Sequence, residues 1–268
     1  MGLSVATLLS QLPVWTIHIL DLNPSGTSIA ASINATFHTC NVTDESLLAS
    51  TFSAIFATHK RIDFVFANAG IAERANFYTD DQTHENGDPI LPVQGMHALI
   101  DINLKSVITT VYLAAHYMRK SPRADHSIVL TASCGGLYPS YYSPIYTASK
   151  HAVVGFMRSI APWYYHKFGI RVNAICPGVV KTNLLSVAEW ENFPERYFTP
   201  VDKIARTVGM VMNGDGDGGR EAEVLYGKAV EISGEEHYYR EAVGFADEAM
   251  RAVMGATNIE TLENAETS

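Results

Sequence analysis

The sequence predicts an α/β fold in which helices cover both faces of a doubly wound, mainly parallel sheet. Three observations carry that expectation. Helical and strand patterns alternate almost to the end of the chain. Several strands read as short unbroken apolar runs, as strands buried on both faces do, and turn residues punctuate their ends. A length of 268 residues fits one such unit, since α/β sheets reach about 250 residues without dividing. A single domain is therefore expected over residues 1–256, followed by a disordered polar tail over 257–268.

Taken in order, residues 2–12 read as a helix with Leu3, Val5, Ala6, Leu8, Leu9 and Leu12 on one stripe. Trp15 to Leu20 is a strand, ended by the turn cluster Asp21-Leu-Asn-Pro-Ser-Gly26. A helix near 25–33, a strand near 35–39 and a helix over 44–59 with a capped start at Thr43-Asp-Glu-Ser46 follow. Ile62 to Phe66 is a buried strand running into Ala67-Asn-Ala-Gly70, and the polar residues 71–92 form a surface loop. A long helix over about 93–119, a strand from Ser127 to Thr131, a helix over 144–166 and a strand from Ile170 to Ile175 come next, the last stopped by Pro177-Gly178. Residues 183–199 combine Trp190, Phe193, Tyr197 and Phe198 with two prolines, the composition of a mobile flap. A helix over 201–212, the loop Asn213 to Arg220, a strand over 224–232 and a helical pattern over 235–254 complete the chain.

Composition excludes several functions. The net charge is −9 and the 19 Lys and Arg are scattered, so no basic stripe suits nucleic acid or an anionic membrane. Cys40, Cys134 and Cys176 form no CxxC pair, which suits a reducing, cytoplasmic compartment. Met1 to Leu20 is apolar but lacks a basic start, and Gln11, Pro13 and His18 interrupt it, so neither a signal peptide nor a membrane span is expected. No metal site is expected either. The ten histidines show no paired ligand spacing, and Asn213-Gly-Asp-Gly-Asp-Gly218 has Val224 where a calcium loop needs a bidentate Glu.

The chemistry gathers around Tyr146-Thr-Ala-Ser-Lys150. On a helix these two side chains share a face, and a nearby ammonium favours phenolate, which would make Tyr146 a usable acid/base. An ordinary amphipathic helix explains the pair equally well in isolation. Ser133 ends the preceding strand, and ligands of such sheets bind beyond the strands' carboxyl ends. A turn-forming serine is the plain alternative. Asn68 and Gly70 end another strand at the same edge, where Gly permits close backbone approach. Asn103 lies inside a helix and needs a partner or a water.

Together with Pro177-Gly-Val-Val-Lys-Thr182, this ordered set of Asn-Ala-Gly, Asn, Ser, Tyr-x-x-x-Lys and Pro-Gly resembles the classical short-chain dehydrogenases/reductases, and its surroundings are similar to the 15-hydroxyprostaglandin dehydrogenase-like branch. The resemblance runs from about Leu3 to Gly234 and implies a Rossmann-like fold with nicotinamide chemistry on a secondary alcohol or ketone of a small hydrophobic molecule. It further implies that Tyr146 exchanges the proton, Ser133 holds the substrate oxygen, Lys150 lowers the tyrosine pKa and binds ribose, and Asn103 holds a relay water. Pro177, Gly178, Val180 and Thr182 would contact the cofactor's carboxamide end, and Asn41 and Val42 would lie beside the adenine. A homodimer or homotetramer is implied as well, through the helices over 93–119 and 144–166.

An acidic residue at the end of the second strand of such a fold binds the adenosine ribose and repels a 2′-phosphate. Asp21 stands there, and residues 1–59 contain no Arg or Lys, so NAD is favoured over NADP. Asp21 could also be a plain turn residue. The family opens with a strand and a glycine-rich phosphate turn, of which only Gly2 is present here. Two alternatives follow: an omitted upstream segment, or a catalytically impaired relative acting as a binding protein. Tyr138, Tyr141, Tyr142, Trp190, Phe193 and Phe198 are candidates for an apolar substrate pocket, or equally for loop packing.

Overall fold

The computed structural model describes every residue except 75, 80–82, 92, 94, 123–124, 215–223 and 260–268. Most of the expected polar tail and of the segment Asn213 to Gly218 lies outside the described residues.

The elements run α1 (Gly2–Ser10), β1 (His18–Asp21), α2 (Gly26–Ser32), β2 (Thr36–Thr39), α3 (Glu45–His59), β3 (Phe64–Ala67), α4 (Met96–Ile100), α5 (Ser106–Met118), β4 (His126–Thr131), α6 (Pro144–Phe168), β5 (Ile170–Pro177), α7 (Val187–Trp190), α8 (Val201–Asn213), β6 (Ala229–Ser233), β7 (Glu236–Arg240) and α9 (Glu248–Gly255). β3, β4, β5 and β6 form a parallel sheet in that order, with β7 added antiparallel at the edge. Side chains alternate between two cores. Ile128, Leu130, Val172 and Ala174 pack against α3, α5 and α6, whereas Val129, Ile175, Val230 and Ile232 pack against α1 and α8. The fold is thus the expected mixed α/β arrangement around a parallel sheet.

The sheet is divided. Among the described residues β1 and β2 pair only with each other, parallel and in register from His18↔Thr36 to Asp21↔Thr39. Between β1 and β3 lies part of a cavity of about 1880 Å³, walled by both strands, α1 and the strand ends. A chain of imidazoles links β1, β2 and α3, with His18 Nδ1 2.9 Å from His38 Nε2 and His18 Nε2 3.0 Å from His59 Nε2.

Three expectations need correction. Residues 236–240 are a strand, not helix: Gly234 at positive φ makes a two-residue hairpin loop with Glu235, and exposure then alternates along β7. The strand expected over 224–232 begins only at Ala229. Gly227 adopts a left-handed conformation, and Asn173 holds the irregular backbone by donating to Leu225 O and accepting from Lys228 N–H. The long helix is continuous over Met96–Met118 but contains a π-helical turn at Asp101–Lys105, where the Ser106 N–H donates to Asp101 O five residues back. Its apolar character is explained by burial of Leu99, Val107, Val111, Ala114 and Met118 in the core.

Candidate active site

Ser133 leaves β4 in an extended conformation, and its Oγ accepts the Gly135 N–H at 3.1 Å to cap the short 3-10 turn Cys134–Gly136. The turn packs directly on α6. A Cβ on Gly136 would lie 2.7 Å from Lys150 O, so only glycine fits there. Gly135 faces both Ser133 Oγ and the Tyr146 ring, with its notional Cβ 3.6 and 3.4 Å away. This close approach sets the Ser133 hydroxyl and the Tyr146 ring against the same glycine.

Pro144 opens α6, which places Tyr146 in its first turn and Lys150 one turn later. Lys150 is buried, with Nζ donating to Thr131 O at 2.8 Å and standing 5.7 Å from the Tyr146 ring centre. Burial pushes the ammonium down to about 8. Burial also raises the phenol of Tyr146 above its ordinary value, and the Ser133 hydrogen bond opposes this only in part. The expected net lowering of the phenol pKa by Lys150 is therefore not what this structure shows. Nζ is turned to the Thr131 carbonyl, and the cost of burying a phenolate dominates.

Asn103 sits in the π-helical turn and is fully buried. Its Oδ1 accepts the Ile71 N–H at 2.8 Å and its Nδ2 donates to Ile71 O at 2.9 Å. The amide thus pins the turn after β3 and keeps one lone pair and one N–H for a further partner. Gly70 separates it from the lysine: a Cβ there would lie 3.3 Å from Asn103 Oδ1 and 3.6 Å from Lys150 Nζ. Asn68 accepts the Thr131 hydroxyl at 3.3 Å, and its Nδ2 would be 3.1 Å from a Cβ on Gly2.

The other sequence-selected residues line the same large cavity, which holds Gly2, Asp21, Asn41, Val42, Asn68, Gly70, Pro177, Gly178, Val180 and Thr182 as well as Ser133, Tyr146 and Lys150. Asn103 stands behind this wall. Asp21 ends β1, exposed, with Oδ1 accepting the Asn23 N–H at 2.8 Å, so it does take part in the turn. Asn41 Oδ1 is likewise engaged by Thr43, through N–H at 3.1 Å and Oγ1 at 2.9 Å. Gly178 N–H donates to Ile232 O at 2.8 Å, and Thr182 Oγ1 accepts the Leu184 N–H at 3.2 Å.

The cavity suits a dinucleotide. Lys150 has donors beyond the one given to Thr131, Asp21 offers a carboxylate, and Gly2 at the start of α1 lines the space. Its volume exceeds the roughly 1,000 Å³ upper end of ordinary ligand sites. The cleft between β1 and β3 contributes to the excess.

The aromatic residues considered for a substrate pocket do not line this cavity. Trp190 is buried, with Phe193 and Phe198 ring centres 6.0 and 5.9 Å away and its Nε1 donating to Thr182 O at 3.0 Å. Tyr141 and Tyr142 are exposed, and Tyr138 donates to Glu231 at 3.0 Å. Segment 183–199 is tied down by a Ser186–Glu189 capping box and by Arg74, whose Nη1 reaches both Glu189 oxygens at 2.9 Å. Together with Arg74, sequence reasoning missed Glu73, whose Oε2 accepts the Tyr146 N–H at 2.8 Å. Partners 73 positions apart leave no trace in local patterning. Cys176 is inert as a nucleophile, its thiol pushed up to about 12 by burial, and burial raises Cys134 too.

Comparison with known proteins agrees with this geometry. The family model described as short chain dehydrogenase matches residues 1–192. A Penicillium rubens protein, short-chain dehydrogenase/reductase prx7, is 48% identical, with 97% of each chain covered. The rat 15-hydroxyprostaglandin dehydrogenase [NAD(+)] is 35% identical over 63% of this chain and 57% of that protein. Among solved structures, ElxO with NADP bound superposes with a TM-score of 0.70 at 22% identity, covering 86% of this chain and 92% of the other. Levodione reductase gives 0.69 at 23% identity, over 87% and 92%. At such identities the superpositions speak for the fold.

Proposed function

The chain belongs to the short-chain dehydrogenase family, a nicotinamide-dependent oxidoreductase acting on an alcohol or ketone, and we propose that it uses NAD to interconvert a secondary alcohol and a ketone on a small hydrophobic molecule. The observation that carries the reading is the convergence of Ser133, Tyr146 and the buried Lys150 on one cavity wall, with Ser133 Oγ and the Tyr146 ring both against Gly135. When bound, the nicotinamide supplies the hydride donor or acceptor. Tyr146 exchanges a proton at its phenol oxygen with the substrate oxygen, in the enclosed position its burial provides. Ser133 Oγ hydrogen-bonds that same oxygen and orients it. Lys150 donates to ribose hydroxyls from its buried stem. Asn103 braces Ile71 and spends its remaining amide capacity on a relay water. Gly2, Asn41, Val42, Asn68, Gly70, Pro177, Gly178, Val180 and Thr182 complete the cofactor wall.

Asp21 favours NAD, because a carboxylate repels a 2′-phosphate and no Arg or Lys stands within residues 1–59. The protein is further proposed to work in the cytoplasm as a homodimer or homotetramer through α5 and α6, without nucleic-acid, membrane or metal partners. The alternative of an impaired binding protein is not favoured, since Ser133, Tyr146 and Lys150 stand together on one cavity wall. The test compares turnover of secondary alcohols with NAD and NADP. NAD should serve better, and Asp21→Ala should weaken NAD by about 10–100-fold, the worth of hydrogen bonding to a charged group of about 1.5–3 kcal/mol. Preference for NADP by the unaltered protein would refute the cofactor assignment.

A further inference from the structure

The start of α6 has a gap in its capping. Tyr146 is the third residue of this helix, so its N–H precedes the first donor with an intrahelical acceptor. The next amide, Thr147 N–H, already bonds to Ser143 O at 2.9 Å. An N-cap side chain ordinarily takes the third-residue N–H, yet Ser143 makes no such bond. Glu73 Oε2 takes it instead, at 2.8 Å, from a different part of the chain. The other carboxylate oxygen, Oε1, is buried without a hydrogen-bond partner. Glu73 also lines a cavity of about 70 Å³ with Ile71, Gly95, Leu99 and Ile145, room enough for a water.

Glu73 is itself held from behind. Asn103 grips Ile71 at both N–H and C=O, and Arg74 is fixed to Glu189 and to Leu184 O at 2.9 Å. Residues 71–74 therefore form a short rigid link that ends on the amide of the residue carrying the phenol. A carboxylate there also complements the positive end of a 25-residue helix.

We infer that Glu73 is a positioning residue that sets the place of the Tyr146 phenol by capping the first turn of α6 from outside the helix, an inference resting on Tyr146 as the proton-transfer group. Displacing that turn by about 1 Å is enough to cost up to roughly 100-fold in rate. Glu73→Ala should accordingly lower kcat by about 10–100-fold with little change in the KM for the cofactor. Glu73→Gln keeps an acceptor oxygen in place and should restore most of the loss. A second arm follows amide exchange in the peptide spanning 143–150, which needs no substrate: the Tyr146 amide should be protected in the unaltered protein and in Glu73→Gln, and exposed in Glu73→Ala. Should the alanine variant not fold, Glu73→Leu fills the same space without an acceptor. Unchanged kcat in the alanine variant, equal loss in the glutamine variant, or unaltered Tyr146 exchange would each overturn the inference. Absence of turnover in the unaltered protein would instead count against the proposed function, with the exchange arm still deciding the cap.

Discussion

β4 and β5 are buried at every residue, whereas β1 and β3, as apolar in composition, stay half exposed along most of their length. The difference lies in lateral neighbours. β4 and β5 each have a strand on both sides, while β1 pairs only with β2 and β3 only with β4. Backbone donors and acceptors on the facing edges of β1 and β3 therefore look into the cavity rather than into a ladder. Burial of a strand in this molecule is decided by who stands beside it as much as by its own side chains. The same division runs through the candidate site. Ser133, Tyr146 and Lys150 rest on the fully laddered half, and Asp21, Asn41 and Val42 rest on the two-stranded half.

The comparison can be broken at the laddered half without disturbing the other. Tyr146→Phe removes only an oxygen, so turnover should fall by about 10²–10⁴-fold while the melting curve and cofactor affinity stay near those of the unaltered protein. A weakened cofactor affinity would show that the two halves are not separable in this way. Gly136→Ala acts on packing in the same half. Its Cβ would meet the Lys150 carbonyl at 2.7 Å, and the overpacking should cost about 1–3 kcal/mol, read as a lower denaturant midpoint. An unchanged midpoint would mean that turn and helix are not tightly joined.

The smallest expected effect sharpens the other side. Burial and the neighbouring imidazoles of His38 and His59 push His18 down to about 4. The unfolded chain then binds more protons between about 6.5 and 4. Stability should be full above pH 6.5 and decline as pH falls toward 4, because His18 must be neutral to accept from one neighbour while donating to the other. His18→Gln should flatten that part of the acid-denaturation profile. A profile identical to the unaltered protein's would remove the imidazole chain as a support of β1 and β2.

Much of this was readable from the residues. Alternating apolar runs placed the strands to within a few positions, and the spacing of Tyr146 and Lys150 required one helix face. Ser133, Tyr146 and Lys150 could be selected together because each lies at a strand end or helix start along one sheet edge. What escaped depends on contacts between distant segments. Glu73 reads as one more loop carboxylate until α6 is laid against it, and the direction of the Tyr146 shift depends on burial that no spacing encodes. β7 was readable but misjudged: Ser233-Gly234-Glu235 is a hairpin signature, outweighed by the helix-forming residues beyond it. Trp190 was left open between ligand binding and loop packing, and it anchors its own loop.

The π-helical turn at Asp101–Lys105 acts as a spacer of one residue. An α-helix advances about 100° per residue. Regularising the turn without removing a residue would swing Val107, Val111 and Ala114 about 100° away from the sheet while Leu99 stayed where it is. Removing one residue together with the turn would leave both faces toward the core. Insertion and deletion thus carry different penalties along this helix. Many exchanges at Ile108 or Tyr112, both exposed, should pass unnoticed, but a further residue inserted between Leu99 and Val107 would turn the two buried faces apart.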